Sequence, residues 1–431
     1  MEKLLIKNGK VVFYDRVEKN DLLIENGIIK KIAKNITENC KTINAEGLHV
    51  FPGLIDMHVH LREPGYEYKE DLLSGSKAAV KGGFSQICPM PNTKPICDTA
   101  AAVSYIKARE KEINLVKINP IGAITVGEEG NQLAEIGKMK KAGAVAISDD
   151  GKPVINTKMM RLAMEYAKDF NLICLSHSED KSLSEDGVVN EGLNSTLTGL
   201  KGIPRAAEEI MVSREILLSD MLKVPVHICH ISTEGSVNLI KQAKERGVKV
   251  TAESCPHYFS LTDNAITDFN PNTKVNPPLR EERDKQAIIE GYRKGIIDVI
   301  ATDHAPHHKD EKNIEYNVAA FGISGLETSF SLTITNLYQT GVLTLCEIAQ
   351  VMSYNPAKIL NLDGGEIKEG KIADIMLADI DKSYIIDTNK FLSKGKNSPF
   401  DNMKVSGEVQ ATIINGIIKY TGEKFNDRQT D

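Results

Sequence analysis

Leu54-Ile55-Asp56-Met57-His58-Val59-His60, continued by Leu61-Arg62, is a short apolar run that closes on two histidines one residue apart. Read as a strand, it puts His58 and His60 on the same side, because side chains two apart on a strand project the same way. Two imidazoles at that spacing suit a borderline-soft divalent metal such as zinc. Alone the pair is a weak signal, since His-x-His on a strand commonly has no special role. Its meaning depends on what the rest of the chain brings beside it.

Seven further apolar runs follow, at 84–89, 116–121, 144–148, 172–176, 224–231, 248–252 and 298–302. Helical periods lie between them, among others at 71–81, 99–111, 158–169, 205–222 and 234–246. Gly82 and Gly247 fall where a glycine would follow a last helical turn. Short apolar runs alternating with helices are the mark of parallel βα units. Eight such units predict an α/β fold, a (β/α)8 TIM barrel over residues 52–360. In that architecture the C-terminal strand ends converge on the active site. Asp149-Asp150 ends the fourth run, His177 the fifth, His230 the sixth and Asp303 the eighth. Four histidines and two carboxylates then share one end of the barrel, enough to hold two metal ions.

Outside the barrel the pattern changes. Asn-Gly between apolar runs signals a hairpin, because both turn residues must tolerate positive φ. It occurs in Lys7-Asn8-Gly9-Lys10, in Glu25-Asn26-Gly27 and in Ile413-Ile414-Asn415-Gly416-Ile417-Ile418. Residues 1–51 and 361–431 are therefore expected to build one small β domain together. The segments 182–201 and 260–278 fit neither period and are long for βα connections, which makes them candidate substrate-facing loops.

Composition narrows the class. With 431 residues, 41% hydrophobic and 26% charged, the chain reads as an ordinary soluble globular protein. A net charge of −6 leaves no global basic field for nucleic acid. The opening MEKLLIKNGKVVFYDR lacks the apolar core of a signal peptide, and no apolar run reaches bilayer length. Seven scattered cysteines without a Cys-x-x-Cys pair read as reduced thiols of a cytoplasmic protein.

The run FPGLIDMHVHLREPGYEYKEDLLSGSKAAVKGGFSQICPMPNTKP resembles the opening of the dihydroorotases in the amidohydrolase superfamily. SDDG at 148–151, SHSED at 176–180, CHIST at 229–233, NPPLR at 276–280, ATDHAPH at 301–307 and FGISGLET at 321–328 follow in that family's order and spacing. The resemblance covers nearly the whole chain, including GEIKEGKIADIMLADID near its end. It is most similar to the bacterial type whose metal-bridging ligand is an aspartate.

The resemblance implies reversible hydrolysis of (S)-dihydroorotate to N-carbamoyl-L-aspartate, in de novo pyrimidine biosynthesis. It makes His58 and His60 ligands of a first Zn2+, and His177 and His230 ligands of a second. Asp150 would bridge the two, and Asp303 would bind the first while acting as catalytic acid and base. The choice of Asp150 over Asp149 rests on the family's pattern. Lys152 offers a carboxylated-lysine bridge in principle, but Asp150 already supplies the anion. Substrate contacts would come from Arg62, Asn92, Asn276, His307 and the backbone of Phe321-Gly322. The resemblance also leaves room for a homodimer and for association with aspartate carbamoyltransferase, which the family sometimes forms.

Each reading has a plainer rival. Arg62 stands two past His60, on the same side of the strand end, and its planar guanidinium can grip a carboxylate through two parallel hydrogen bonds. Its plain alternative is a salt bridge to Glu63 or another surface acid. Asn276 before Pro277 and Gly322 in a turn need no functional reason. His49 and His227 read as core or supporting residues, and His257, His304 and His308 as hydrogen-bond partners at most. Allantoinases, hydantoinases and dihydropyrimidinases open uncharged rings and differ from this sequence at the arginine. A non-catalytic scaffold would have lost metal ligands, and this chain keeps all six.

Overall fold

Residues 3–423 and 425–430 are described by the computed structural model. Eight parallel strand positions, the third of them split into two short pieces, form the predicted barrel. The first, Leu54–Val59, pairs with Phe84–Pro89, which pairs with Lys117–Ile118. A second run of pairing links Ile121–Gly122, Ala146–Ile147, Cys174–Ser176, Val226–Ile228, Val250–Ser254 and Val299–Ile300 in that order. Pro120 separates these two groups because it has no N–H to give the ladder. The ring nevertheless continues through the break: Asn119 N–H donates to the Ile87 carbonyl at 2.9 Å, and Val145 N–H to that of Pro120 at 3.1 Å. Beyond the eighth strand, Val59 bridges His304, and His60 N–H donates to the His304 carbonyl at 2.8 Å. That bridge joins the last strand to the first.

The helices close on local chemistry. Asp71 caps Leu72–Lys81, Thr99 caps Ala100–Ile113, Asn156 caps Thr157–Asp169 and Thr233 caps Glu234–Glu245, each accepting from an otherwise unpaired N–H. Gly247 has φ of +77° after its helix, as expected. Gly82 does not take that role: it stays right-handed, and Gly83 carries the positive φ of +89°. Gly82 is required by space instead, since a Cβ there would stand 2.2 Å from the Leu326 carbonyl oxygen. The main apolar core lies between strands and helices.

The two ends of the chain share one sheet. Its main path runs Ile417–Thr421, Lys404–Ile414, Ile375–Ile385, His49–Pro52, Lys3–Val12, Val17–Glu25, Ile28–Ala33. The joint is the antiparallel pairing of Ile375 with Pro52 through Ala378 with His49. Asn26-Gly27 (φ 51° and 79°) and Asn415-Gly416 (φ 52° and 75°) are hairpin turns as predicted. The two turns touch: a Cβ on Gly27 would lie 2.7 Å from the Asn415 carbonyl oxygen. Asn8-Gly9 is not a turn. The strand Lys3–Val12 runs straight through it with a bulge between Ile6 and Gly9, and Asn8 (φ 65°) donates its N–H to Asp21 Oδ1 at 2.8 Å. The chain reverses later, where Phe13 N–H reaches the Arg16 carbonyl.

Candidate active site

Alternation along Leu54–Val59 sends Asp56, His58 and then His60 toward one side. Asp56 is the anchor. It accepts from Thr302 Oγ1 at 2.6 Å, from Thr302 N–H at 3.1 Å and from His58 N–H at 3.1 Å, tying the first strand to the end of the eighth. From there the six predicted ligands meet. Asp150 Oδ1 lies 3.4 Å from His58 Nε2, 3.5 Å from His177 Nδ1 and 3.6 Å from His230 Nε2. Asp150 Oδ2 lies 3.5 Å from His60 Nε2. Asp303 Oδ1 lies 3.0 Å from His60 Nε2 and 3.5 Å from His58 Nε2. All six side chains are between 0 and 5% exposed.

The donor set fits a metal. His58 with His60 and Asp303, and His58 with Asp150 and His230, each bring their ligand atoms within 4.8 Å of one another. His58 Nε2 and Asp150 Oδ1 are buried and have no hydrogen-bond partner among the described residues. Such orphaned acceptors are costly unless a cation satisfies them. A third group, His58 with Cys229 and Glu253, does not fit. There His58 Nδ1 already donates to Glu253 Oε1 at 2.7 Å, and burial pushes the Cys229 thiol up, keeping it protonated.

Electrostatics favour the same arrangement. Burial opposes charge on Asp150, yet the three surrounding histidines hold its carboxyl well below the usual range. Burial likewise opposes charge on Asp303, and His58 and His60 keep it low. The backbone is strained where these groups converge: Arg62, His230 and Asp303 have φ of 64°, 32° and 46°. Non-glycine residues in that region persist only when the surroundings hold them, and they cluster at functional sites.

Asp149 and Asp150 divide their labour. Asp149 accepts from Ile124 N–H at 2.7 Å, from Thr125 N–H at 3.1 Å and from the Thr125 hydroxyl, so it fastens the loop after the third strand. Asp150 faces the histidines. Lys152 is exposed, and its charge acts on Asp149 and Glu128.

The predicted substrate residues are partly engaged by the protein. Arg62 donates through Nε to the Pro306 carbonyl at 3.2 Å, and its Nη2 lies 3.2 Å from His307 Nε2. No carboxylate among the described residues pairs with it. Glu63 is turned away, accepting from Leu72 N–H, Tyr105 Oη and Arg109 Nε. Asn92 gives its Oδ1 to His60 Nδ1–H at 2.9 Å, which leaves its amide N–H groups, one of them in a long 3.4 Å bond to the Asp150 carbonyl. Asn276 donates to Glu179 Oε2 at 3.1 Å. Gly322 N–H is taken by the Lys274 carbonyl at 2.9 Å, while the Phe321 carbonyl accepts from His307 Nε2 at 2.7 Å. A cleft of about 470 Å3 opens at His307, with Lys309, Lys312, Lys394 and Lys396 on its walls.

Several contributors were not singled out from sequence. Glu253 holds His58 Nδ1–H and also accepts from His227 Nε2 at 3.1 Å. Glu179 accepts from His177 Nε2–H at 3.1 Å. Carboxylates in this position fix a ligand histidine's tautomer and raise its basicity. Glu253 ends the seventh strand, which reaches Ser254, two residues past the apolar run that marked it. His227 and His304 take supporting places; His304 Nδ1 accepts from Gly325 N–H and its Nε2 faces Glu70.

Residues 47–236 match the family model described as dihydro-orotase-like. A dihydroorotase of Acetivibrio thermocellus is 53% identical, covering 96% of this chain and 98% of its own. One from a Thermoanaerobacter species is 49% identical over 100% of this chain and 99% of its own. The chain belongs to the dihydroorotase family. Among solved structures, an L-hydantoinase (dihydropyrimidinase) from Arthrobacter aurescens superposes with a TM-score of 0.86 at 26% identity, covering 97% of this chain and 96% of that one. A dihydropyrimidinase from Brevibacillus agri gives 0.83 at 21% identity over 96% and 94%, a likeness of fold. Members of this family are metal-dependent cyclic amide hydrolases, and the buried His and Asp side chains include groups able to hold a metal ion. No helix among the described residues is long and apolar enough to cross a membrane.

Proposed function

We propose that this chain catalyses the reversible hydrolysis of (S)-dihydroorotate to N-carbamoyl-L-aspartate, with two zinc ions per chain. His58, His60 and Asp303 would hold one ion, His177 and His230 the other, with Asp150 between them. When bound, the pair supplies Lewis-acid activation of the ring carbonyl and of the attacking water.

The chain's own groups do the rest. Arg62, with His307 beside it and the Asn92 amide, binds the ring carboxylate and sets the orientation of the substrate. Phe321 and Asn276 face the ring amides. Asp303, ionised in the resting site, accepts a proton from the attacking water. As the ring C–N bond breaks, the same carboxyl delivers that proton to the departing nitrogen. In the synthetic direction protonated Asp303 gives its proton to the leaving water.

The observation that carries this reading is Arg62: a guanidinium beside the histidine cluster, with no acid partner among the described residues. Asp303 and Glu311 act on Arg62 only at a distance, and a guanidinium whose donor fork is not taken by a carboxylate can grip an anionic ligand through two parallel hydrogen bonds. Dihydroorotate carries a ring carboxylate, whereas hydantoin, dihydrouracil and allantoin do not. Metal-replete protein should turn over dihydroorotate and leave those three rings intact. Arg62→Ala should cost about 2–5 kcal/mol in kcat/KM, roughly thirty- to several-thousand-fold. Comparable turnover of dihydrouracil, or unchanged kinetics in the variant, would overturn the assignment.

The same reading divides the chain into a barrel at 52–360 and a small domain from 1–51 and 361–431, whose terminal residues 1, 2, 424 and 431 lie outside the described residues. It makes the enzyme cytoplasmic. It is compatible with a homodimer and with association with aspartate carbamoyltransferase, and light scattering of the chain alone and mixed with that enzyme tests both.

A further inference from the structure

The connection between the strands Ile375–Ile385 and Lys404–Ile414 leaves its sheet and lies on the barrel. Gly395 makes the approach feasible, since a Cβ there would be 2.5 Å from Pro306 Cβ. Ser393 bonds the buried Glu70 carboxylate, and Ser324 Oγ donates to the Gly395 carbonyl at 2.9 Å. At the centre is Asn397, 4% exposed.

Every hydrogen-bonding position of the Asn397 amide is used. Its Oδ1 accepts from His307 N–H at 3.0 Å and shares the single Ser324 hydroxyl proton with the Gly395 carbonyl, Ser324 Oγ lying 3.0 Å away. Its Nδ2 donates to the Ala305 carbonyl at 3.1 Å and to the Gly322 carbonyl at 2.9 Å. Two of these partners belong to the loop that follows Asp303, and two to the loop that begins at Phe321. The loops are in close contact: Gly322, with φ of +145°, sits where a Cβ would meet the Ala305 carbonyl oxygen at 2.5 Å and His307 Cδ2 at 3.1 Å. From the other side, buried Lys312 donates to the Ala320 carbonyl at 2.7 Å and also to that of Gly322 at 3.1 Å. The Gly322 carbonyl is thus pinned by two side chains.

We propose that Asn397 is a positioning residue for substrate binding, locking the His307 loop to the Phe321-Gly322 loop and setting the anion-binding end of the site. It touches none of the six candidate metal ligands. Its effect passes through His307 and Phe321, so the inference rests on the proposed role of those residues in gripping dihydroorotate.

The test is steady-state kinetics on metal-replete Asn397→Ala, His307→Ala and the double variant, with metal content measured in each. Losing the brace should raise KM for dihydroorotate about tenfold, the worth of one or two buried hydrogen bonds, with kcat within about threefold and full metal content. Because part of the effect of Asn397 passes through the His307 side chain, its removal should raise KM less in the His307→Ala background than in the parent chain, the two effects being less than multiplicative. Asn397→Asp keeps the shape and the acceptor for His307 N–H but loses both donors, so it should also raise KM. It serves if the alanine variant does not fold. A normal KM in the Asn397 variants beside a raised KM in His307→Ala overturns this inference and leaves the function standing. Fully multiplicative effects in the double variant, or metal loss, also overturn it. An unchanged KM in His307→Ala overturns the substrate reading beneath it, and this inference with it.

Discussion

Glu253→Gln is the most informative perturbation of the metal centre, because it keeps shape and removes only charge. In the native site one carboxylate serves two histidines, taking His58 Nδ1–H at 2.7 Å and His227 Nε2–H at 3.1 Å. Both histidines and the glutamate are fully buried. Burial opposes charge on Glu253, but His58 and His227 hold it ionised. A glutamine can accept only through its oxygen, so its NH2 must face one of two N–H groups. If His227 yields, it can turn its proton toward Thr251 Oγ1, 2.8 Å from Nδ1. If His58 yields, its proton moves to Nε2, the atom that faces Asp150, and the lone pair that would bind metal is lost. Even in the milder case a charge-assisted bond becomes a neutral one, a loss of about 1–1.5 kcal/mol. That corresponds to roughly 5- to 13-fold weaker metal binding, at the lower end of what carboxylates behind ligand histidines contribute. Competition with a chromophoric chelator measures it directly, and activity should return when metal is added in excess. An unchanged metal Kd in Glu253→Gln would refute the argument that this carboxylate sets the histidine's tautomer.

Asp303→Asn should lower kcat by roughly 10²–10⁴, the usual worth of a positioned acid-base, while much of the metal measured by elemental analysis remains. Near-normal turnover would remove Asp303 from that role. His49, in the strand joining the terminal sheet to the barrel, is held neutral by burial with its pKa lowered to about 4. Its unfolded form binds a proton first as pH falls from 6.5 to 4, so the fold loses stability across that window. The urea midpoint of His49→Gln should therefore fall less steeply between pH 7 and pH 4 than that of the parent chain. Parallel slopes would show that His49 does not contribute.

The barrel was legible because its signal is periodic and spread over many residues. Errors came where one residue had to stand for a three-dimensional outcome. Asn8-Gly9 reported correctly that positive φ is needed, but that need is met by a bulge as readily as by a turn, and the pairing of Lys3–Val12 with Val17–Glu25 decides between them. The seventh strand was ended at its last apolar residue. Barrel strands, however, carry their polar side chains at the C-terminal end, so the rule cut off Glu253 for the property that makes it useful. The six candidate ligands could be found because each stands at a strand end. The groups that hold them could not: Glu253 is 195 residues from His58, and Asn397 is 90 from His307. Nothing local in the sequence announces such a pairing.

The placement of Asn397 also bears on how the protein is made. A nascent chain emerges from the ribosome with the barrel sequence complete well before residue 397. Until the later segment arrives, the edge of His49–Pro52 lacks its partner Ile375–Ile385, and the loops carrying His307 and Gly322 lack their common fastening. On the proposed role of Asn397, competence to bind substrate comes only after that segment is made, and a product terminated before it would present an open sheet edge to the cell's proteases.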